Sequence, residues 1–299
     1  MSKITPEQLK IRQAYDLPLK EMLSASRIRQ WYEYFNGQVY VSFSGGKDST
    51  VLLDLVRKQY PEVPAVFVDT GLEFPEIRDF VKTIENVTWV RPKMSFKQVI
   101  DKYGYPVVSK KISMGVSRYR NTKSQEQKDL RLYGGINPTS GKKQHPTVSK
   151  KWHFLIDAPF KISEQCCTYL KKNPIKKYNK ESGRHGYIGT MASDSDIRKQ
   201  SYLKNGCNAF GRVSGALSTP IAFWLEKDIW NYIKESNLPY SSIYDMGYNR
   251  TGCVFCAFGC HMEKESRFVR MRETHPKLHE YCISKLDMGK VLDYIGVSY

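Results

Sequence analysis

Residues 42–50 read Ser-Phe-Ser-Gly-Gly-Lys-Asp-Ser-Thr, and this run gathers the groups that hold a phosphate. Gly45 and Gly46 let backbone amides turn inward with no Cβ in the way. Lys47 brings a cation, while Ser42, Ser44, Ser49 and Thr50 bring hydroxyls. A helix starting near Asp48 adds the positive end of its dipole. The spacing differs from the G-x-x-x-x-G-K-S/T of the Walker loop, so GTPase-like or kinase-like chemistry fits poorly. A pyrophosphate or phosphosulfate group fits well.

The cysteines are the second chemical feature. There are seven, an odd and unevenly placed set with no mark of secretion, so metal ligation or thiol chemistry is favoured over a disulfide framework. Cys166 and Cys167 are adjacent, Cys253 and Cys256 form a CxxC, and Cys260 follows four residues later. A CxxC brings two thiolates to one metal centre, and a distant pair completes four-thiolate ligation on folding. Four thiolates suit zinc as well as an iron–sulfur cluster. Adjacent cysteines must both turn toward a single zinc ion, whereas a cluster offers them separate iron corners. Cys260 is open as a substitute ligand, a redox thiol or a buried side chain. Cys207 and Cys282 read as small hydrophobes.

Charge adds a third feature. The chain carries 47 Lys and Arg against 30 Asp and Glu, a net charge of +17 that favours polyanionic partners. The segment 109–151 alone holds eleven Lys or Arg against Glu126 and Asp129. It reads as an electropositive patch able to meet DNA or RNA, or else as a solvated lysine-rich surface. No apolar run reaches the roughly 18–20 residues of a membrane span, and the N-terminus has no signal-peptide core. The expectation is a cytoplasmic protein with no membrane partner.

These groups need elements to position them. Residues 16–36 have the three-to-four spacing of an amphipathic helix. Runs 38–43, 65–68, 87–90 and 187–190 read as strands, and 50–59, 75–84, 96–102, 229–236 and 276–285 as helices. Alternating strands and helices predict an α/β fold with a doubly wound, mostly parallel sheet, with ligand bound beyond the carboxyl ends of the strands. Residues 113–151 lose periodicity and gain Gly, Asn, Ser, Thr and Lys, which predicts a partly helical, partly mobile insertion. The expected segments are an N-terminal helical piece (1–36), a phosphate-loop half (37–112), a basic insertion (113–160), the second half of the α/β domain (161–248) and a cysteine-bearing helical C-terminal segment (249–299).

The run from Ser42 to Leu53 resembles the PP-loop of the adenine nucleotide alpha-hydrolase superfamily. The run VFVDTGLEFPEI (residues 66–77) resembles the second-strand motif of its phosphoadenosine phosphosulfate (PAPS) reductase family. IGTMASDSDIRKQS (188–201) is similar to that family's arginine-bearing segment, and residues 218–248 to its helix and tyrosine-rich turn. The resemblance implies an adenine-nucleotide pocket built from Ser44–Ser49 and Asp69, Thr70 and Gly71. Asp69 would help hold magnesium or ribose, and Asp194, Ser195 and Arg198 would lie near the ligand's anionic group. The vicinal cysteines and CxxC are similar to those that hold a four-iron four-sulfur cluster in the adenylylsulfate reductase branch, with zinc as the alternative.

Two departures bear on the reaction. Reductases of the family take sulfite from substrate with a cysteine in a C-terminal tail, whereas MGKVLDYIGVSY (288–299) has none. Their PP-loop is generally degenerate, whereas SGGKDS is intact, as in members that cleave ATP between the α and β phosphates. The expectation is therefore an enzyme of ATP-dependent sulfur transfer that releases AMP and pyrophosphate, with a nucleic acid as candidate acceptor and a sulfur or electron donor protein as partner. Lys47, Asp48, Arg198 and Cys260 are the candidate catalytic residues. Sulfonucleotide reduction with release of sulfite is the alternative, and a non-catalytic nucleotide-binding protein is the third reading.

Overall fold

β-Branched and aromatic residues crowd the runs 39–42, 65–68 and 87–90, where a pleated surface suits them. The structure, a computed structural model, describes residues 4–137, 139–211 and 215–299. Among the described residues the strands are β1 (Val39–Ser42), β2 (Ala65–Val68), β3 (Val87–Val90), β4 (Val107–Val108), β5 (Gly135–Ile136), β6 (Lys143–Gln144), β7 (His185–Ile188), β8 (Asn208–Ala209), β9 (Leu217–Ser218) and β10 (Ala257–Phe258). The chain divides into two compact units. One comprises the described residues of Met1–Asp69, Glu73–Arg91 and Pro174–Thr251, and the other Thr70–Leu72, Pro92–Asn173 and Gly252–Tyr299.

The first unit holds a six-stranded sheet in the order β3-β2-β1-β7-β9-β8. All its pairings are parallel except the last, β8 with β9. The chain runs outward from β1 through β2 to β3, then resumes on the other flank of β1 with β7. Open α/β sheets bind ligands beyond the carboxyl ends of the strands at such a reversal, here between β1 and β7. The doubly wound, mostly parallel sheet expected from the alternating pattern is present.

Helices connect the strands, Lys47–Arg57 after β1 and Pro75–Lys82 after β2. The first of them reaches back to Lys47, three residues earlier than its apolar pattern from Thr50 indicates, because residues 47–49 carry polar groups that periodicity does not register. Helix Leu17–Tyr34 starts where Asp16 accepts a hydrogen bond from the Leu19 N–H. It buries Ile28 and Trp31, and the Ile28 carbonyl accepts from the Tyr187 hydroxyl of β7 at 2.8 Å. Lys20, fully buried, pairs with Asp228 at 2.6 Å. No helix of the described residues is long and apolar enough to cross a membrane.

In the second unit β4 pairs in parallel with β10, Val107 opposite Ala257 and Val108 opposite Phe258. The segment 113–151, read as partly helical and partly mobile, holds regular elements among its described residues. Helix Lys110–Asn121, helix Gln125–Leu132, the antiparallel hairpin β5–β6 and a 3₁₀ helix at Lys150–Asp157 occupy it. Ser109 caps the first helix, and Ile112, Ser113, Gly115 and Val116 form its buried face. A Cβ on Gly115 would lie 2.7 Å from Val148 Cγ2, so this glycine serves close packing. Arg120 then turns inward, and its guanidinium donates to the carbonyls of Leu155, Ile156, Ala158 and Phe160 at 2.7–2.9 Å. The helix expected at 276–285 divides into Pro276–Glu280 and a π-helical turn at Tyr281–Lys285.

Candidate functional site

The ladder of β1 ends at Phe43, whose N–H still meets Val66 O at 2.9 Å, and the loop begins at once. Ser42 is the last strand residue, paired with Val66 and Ile188. Gly45 has a φ of +71°, and a Cβ there would come within 2.8 Å of Val81 Cγ2 and 2.9 Å of Ile77 Cγ2. Both the backbone conformation and the neighbouring helix therefore demand glycine. A Cβ on Gly46 would meet Thr251 Oγ1 at 2.6 Å, and one on Gly189, just past β7, would meet Asp48 O at 3.0 Å.

Hydroxyls brace the loop from within. Ser49 Oγ accepts from the Ser44 N–H at 3.1 Å and donates to Gly46 O at 2.8 Å, and Thr50 Oγ1 donates to the same carbonyl at 3.1 Å. Ser44 Oγ accepts from the Gly46 N–H at 3.3 Å. Helix Lys47–Arg57 has Gly46 at its N-cap, with no side chain capping it. Its first-turn amides thus form an anion-seeking terminus that the N-cap residue leaves open.

Lys47 is buried, with Nζ donating to Asn249 O at 3.2 Å and standing 3.3 Å from Glu226 Oε1 and 3.6 Å from Asp48 Oδ1. Its backbone N–H donates to the Tyr244 hydroxyl at 2.8 Å. Burial raises the Asp48 carboxyl above the ordinary carboxylate range, Lys47 opposes the shift, and Asp194 adds to it. Asp48 Oδ1 is buried without a hydrogen-bond partner.

Asp69, at the carboxyl end of β2, is buried and accepts on Oδ2 from Arg78 at 3.1 Å and Arg91 at 3.2 Å, while Oδ1 has no hydrogen-bond partner. Ser195 caps helix Asp196–Asn205, accepting from the Arg198 N–H. The Arg198 side chain is about half exposed and ion-paired with Asp194. Thr70 and Gly71 belong to the second unit, where Thr70 Oγ1 accepts from the Leu72 N–H and Gly71 takes a φ of +74°.

Four cysteines of the second unit, Cys166, Cys167, Cys253 and Cys256, line one small cavity with Leu72, Phe96, Pro106, Leu170 and Lys171. All are free thiols. A hydrogen bond from Cys166 lowers the Cys167 thiol below its usual range, with Lys110 and Lys171 assisting against the opposing effect of burial. The same bond and burial raise Cys166. Burial pushes Cys256 up to about 12. Among the described residues no three His, Cys, Asp or Glu are gathered closely enough to hold one metal ion. Cys260 does not join the cavity; it is buried, its thiol donates to Ala257 O at 3.1 Å, and burial pushes it up to about 11.

Several contributors were not read from the sequence. Tyr244, Glu226, Asn249 and Thr251 surround Lys47 and Gly46, and only the tyrosine-rich turn hinted at one of them. Lys171 was legible in principle, since it follows Cys167 by four residues, one turn along the same face. Lys110, Arg78 and Arg91 have no local signal.

The phosphoadenosine phosphosulfate reductase domain model matches residues 38–131 and 135–258. Uncharacterized protein MJ0973 of Methanocaldococcus jannaschii is 27% identical over 266 residues, covering 86% of this chain but only 50% of that protein. The chain thus spans half the length of that relative. Adenosine 5'-phosphosulfate reductase of Oceanobacillus iheyensis is 25% identical over 258 residues, covering 86% of this chain and 87% of its own. Among solved structures, PAPS reductase from Candida auris in a phosphate complex aligns with a TM-score of 0.46 at 18% identity, over 85% of this chain and 98% of that one. The U34-tRNA thiolase NcsA of Methanococcus maripaludis, solved with its [4Fe-4S] cluster, aligns at 0.38 and 13% identity, over 91% of this chain and 80% of that one. With the domain model matching more than half of its residues, the chain belongs to the phosphoadenosine phosphosulfate reductase family.

Proposed function

We propose that the protein is an ATP-dependent sulfurtransferase of this family. The observation that carries the reading is the intact loop Ser44–Ser49, set at the reversal point of the sheet with a helix N-terminus behind it whose N-cap, Gly46, supplies no side-chain cap. Adenine-nucleotide binding goes with the family. The loop amides and Lys47 would hold the β and γ phosphates of ATP. Asp48, whose carboxylate faces Lys47 and keeps one buried oxygen without a hydrogen-bond partner, would be the loop carboxylate that meets the accompanying magnesium. An acceptor oxygen would attack the α phosphorus and pyrophosphate would leave with the β-bridging oxygen. Sulfur at the sulfide level, delivered by a donor protein, would then displace AMP from the adenylated acceptor. Arg198, freed from Asp194, is positioned by its helix start to meet negative charge. The basic segment 109–151 supports a nucleic acid as the acceptor.

Cys166, Cys167, Cys253 and Cys256 would hold a four-iron four-sulfur cluster, which supplies thiolate-bound iron for sulfur or electron handling. The donor set supports a four-thiolate centre: the thiols line one apolar cavity, and the adjacent pair Cys166 and Cys167 suits separate iron corners better than one tetrahedral zinc ion. The second reading, sulfonucleotide reduction, is favoured by the relatives named adenosine 5'-phosphosulfate reductase. One experiment separates the two. The protein purified without oxygen is incubated with ATP, magnesium, a sulfide source and RNA or DNA, and in parallel with adenylylsulfate and a dithiol. AMP and pyrophosphate formed in the first mixture support sulfur transfer; sulfite in the second and nothing in the first overturns it.

A further inference from the structure

Helices Lys110–Asn121 and Gln125–Leu132 border a cavity of about 350 Å³, open to solvent and lined by Arg118, Asn121, Thr122, Gln127 and Arg131. Its size falls within the roughly 300–1,000 Å³ of ligand pockets. No carboxylate lines it, and among the described residues neither arginine has an ion-pair partner. Two guanidiniums facing one volume repel each other. Burial, and then Arg118, depress the Arg131 guanidinium below its ordinary range. Arg131 is nevertheless fixed in place: its carbonyl accepts from the N–H groups of Thr147 and Val148, and its Nη2 donates to Gln127 Oε1 at 3.3 Å. A like-charge pair held this way is relieved by an anion that accepts from both forks, and phosphate geometry matches them.

We infer that this cavity binds a backbone phosphate of single-stranded nucleic acid, with Arg118 and Arg131 as the charged donors and Asn121 and Gln127 as neutral ones. The open wall admits a chain that enters and leaves, which a free phosphate does not need. The surrounding surface suits the rest of such a chain. Lys123 is exposed in the turn between the helices, Lys142 and Lys143 are exposed at the hairpin, and Lys128 stands over the Tyr119 ring at 5.6 Å. Tyr133 and Ile136 are 70% and 66% exposed, and an exposed ring offers a stacking face to an unpaired base. Arg120 takes no part, because its guanidinium is spent on four carbonyls.

The inference rests on the nucleic-acid acceptor reading given above and names where that acceptor is held. The test is fluorescence anisotropy of a labelled single-stranded oligonucleotide titrated with the full chain, without ATP, from about 50 to 200 mM salt. Arg118→Gln and Arg131→Gln are each expected to weaken binding about 3–10-fold and to lower the salt slope by about one. Arg131→Lys, which keeps the charge without the fork, should retain the slope and lose part of the affinity. Lys177→Gln, in the other unit, should change neither. The inference is overturned if the parent chain does not bind, if the double glutamine variant binds with unchanged affinity and slope, if duplex binds more tightly than single strand, or if inorganic phosphate at low millimolar concentration displaces the oligonucleotide completely. Pyrophosphate release from ATP is read separately. Oligonucleotide binding without ATP turnover overturns the transferase reading alone; turnover with binding unaffected by the arginine variants overturns this site alone.

Discussion

The hydroxyl of Tyr244 accepts a 2.8 Å hydrogen bond from the backbone N–H of Lys47, 197 residues away in the chain, at the first turn of the helix behind the phosphate loop. The Tyr244 ring also lies 5.5 Å from Lys47 Nζ. The phenol therefore occupies the position from which a phosphate oxygen would draw the same amide.

Tyr244→Phe removes that competitor and keeps the ring. The free protein should lose about 1 kcal/mol of stability, because the amide loses its partner. ATP should bind about 3–10-fold more tightly, read by isothermal calorimetry. Weaker binding would show that the hydroxyl touches the ligand and does not stand in for it.

Gly45 and Gly71 separate two costs of replacing a glycine. Both have positive φ, but a Cβ at Gly45 strikes Val81 and Ile77 whereas none meets an atom within 4 Å at Gly71. Gly71→Ala should cost about 1–2 kcal/mol for the left-handed backbone alone. Gly45→Ala adds overpacking of about 1–3 kcal/mol and should abolish nucleotide binding. Denaturant melts of the two variants check the difference; equal losses would contradict the geometry.

Arg120→Ala removes four hydrogen bonds to carbonyls at the end of the 3₁₀ helix. A charged donor contributes about 1.5–3 kcal/mol per bond, less than additively, so the loss should be about 3 kcal/mol or more. Arg120→Lys should recover little of it, since an ammonium cannot reach four acceptors in a planar fork. A surface role in polyanion binding would instead leave the melt unchanged and weaken only oligonucleotide binding.

The cysteines divide by placement. Serine at Cys166, Cys167, Cys253 or Cys256 should each abolish bound iron and sulfide in protein prepared without oxygen. Cys260→Ala should retain both and cost about 1 kcal/mol for a small buried group and its weak hydrogen bond to Ala257 O. Iron lost on replacing Cys260 but kept on replacing Cys253 would reverse the assignment.

What the sequence determined by itself was local. The loop Ser42–Thr50, the strands 65–68 and 87–90, the CxxC at Cys253 and Cys256, and the charge of 109–151 are each contained in a short run, so residue type and spacing suffice to read them. The packing of 113–151 was not legible for the same reason. Gly115 and the polar residues beside it carry no periodic signal, because Val148, packed against the glycine, and the carbonyls of Leu155, Ile156, Ala158 and Phe160 that Arg120 meets lie further along the chain. Tertiary structure alone decided which distant residues meet. The pairing of Val107 with Ala257 joins strands 150 residues apart, and the four cysteines of two distant segments line one cavity. Tyr244 reaches Lys47 by the same route, after the chain has reversed across β1. Such meetings depend on strand order and register, which are set by burial summed over the whole sheet and leave no mark in any single run of sequence.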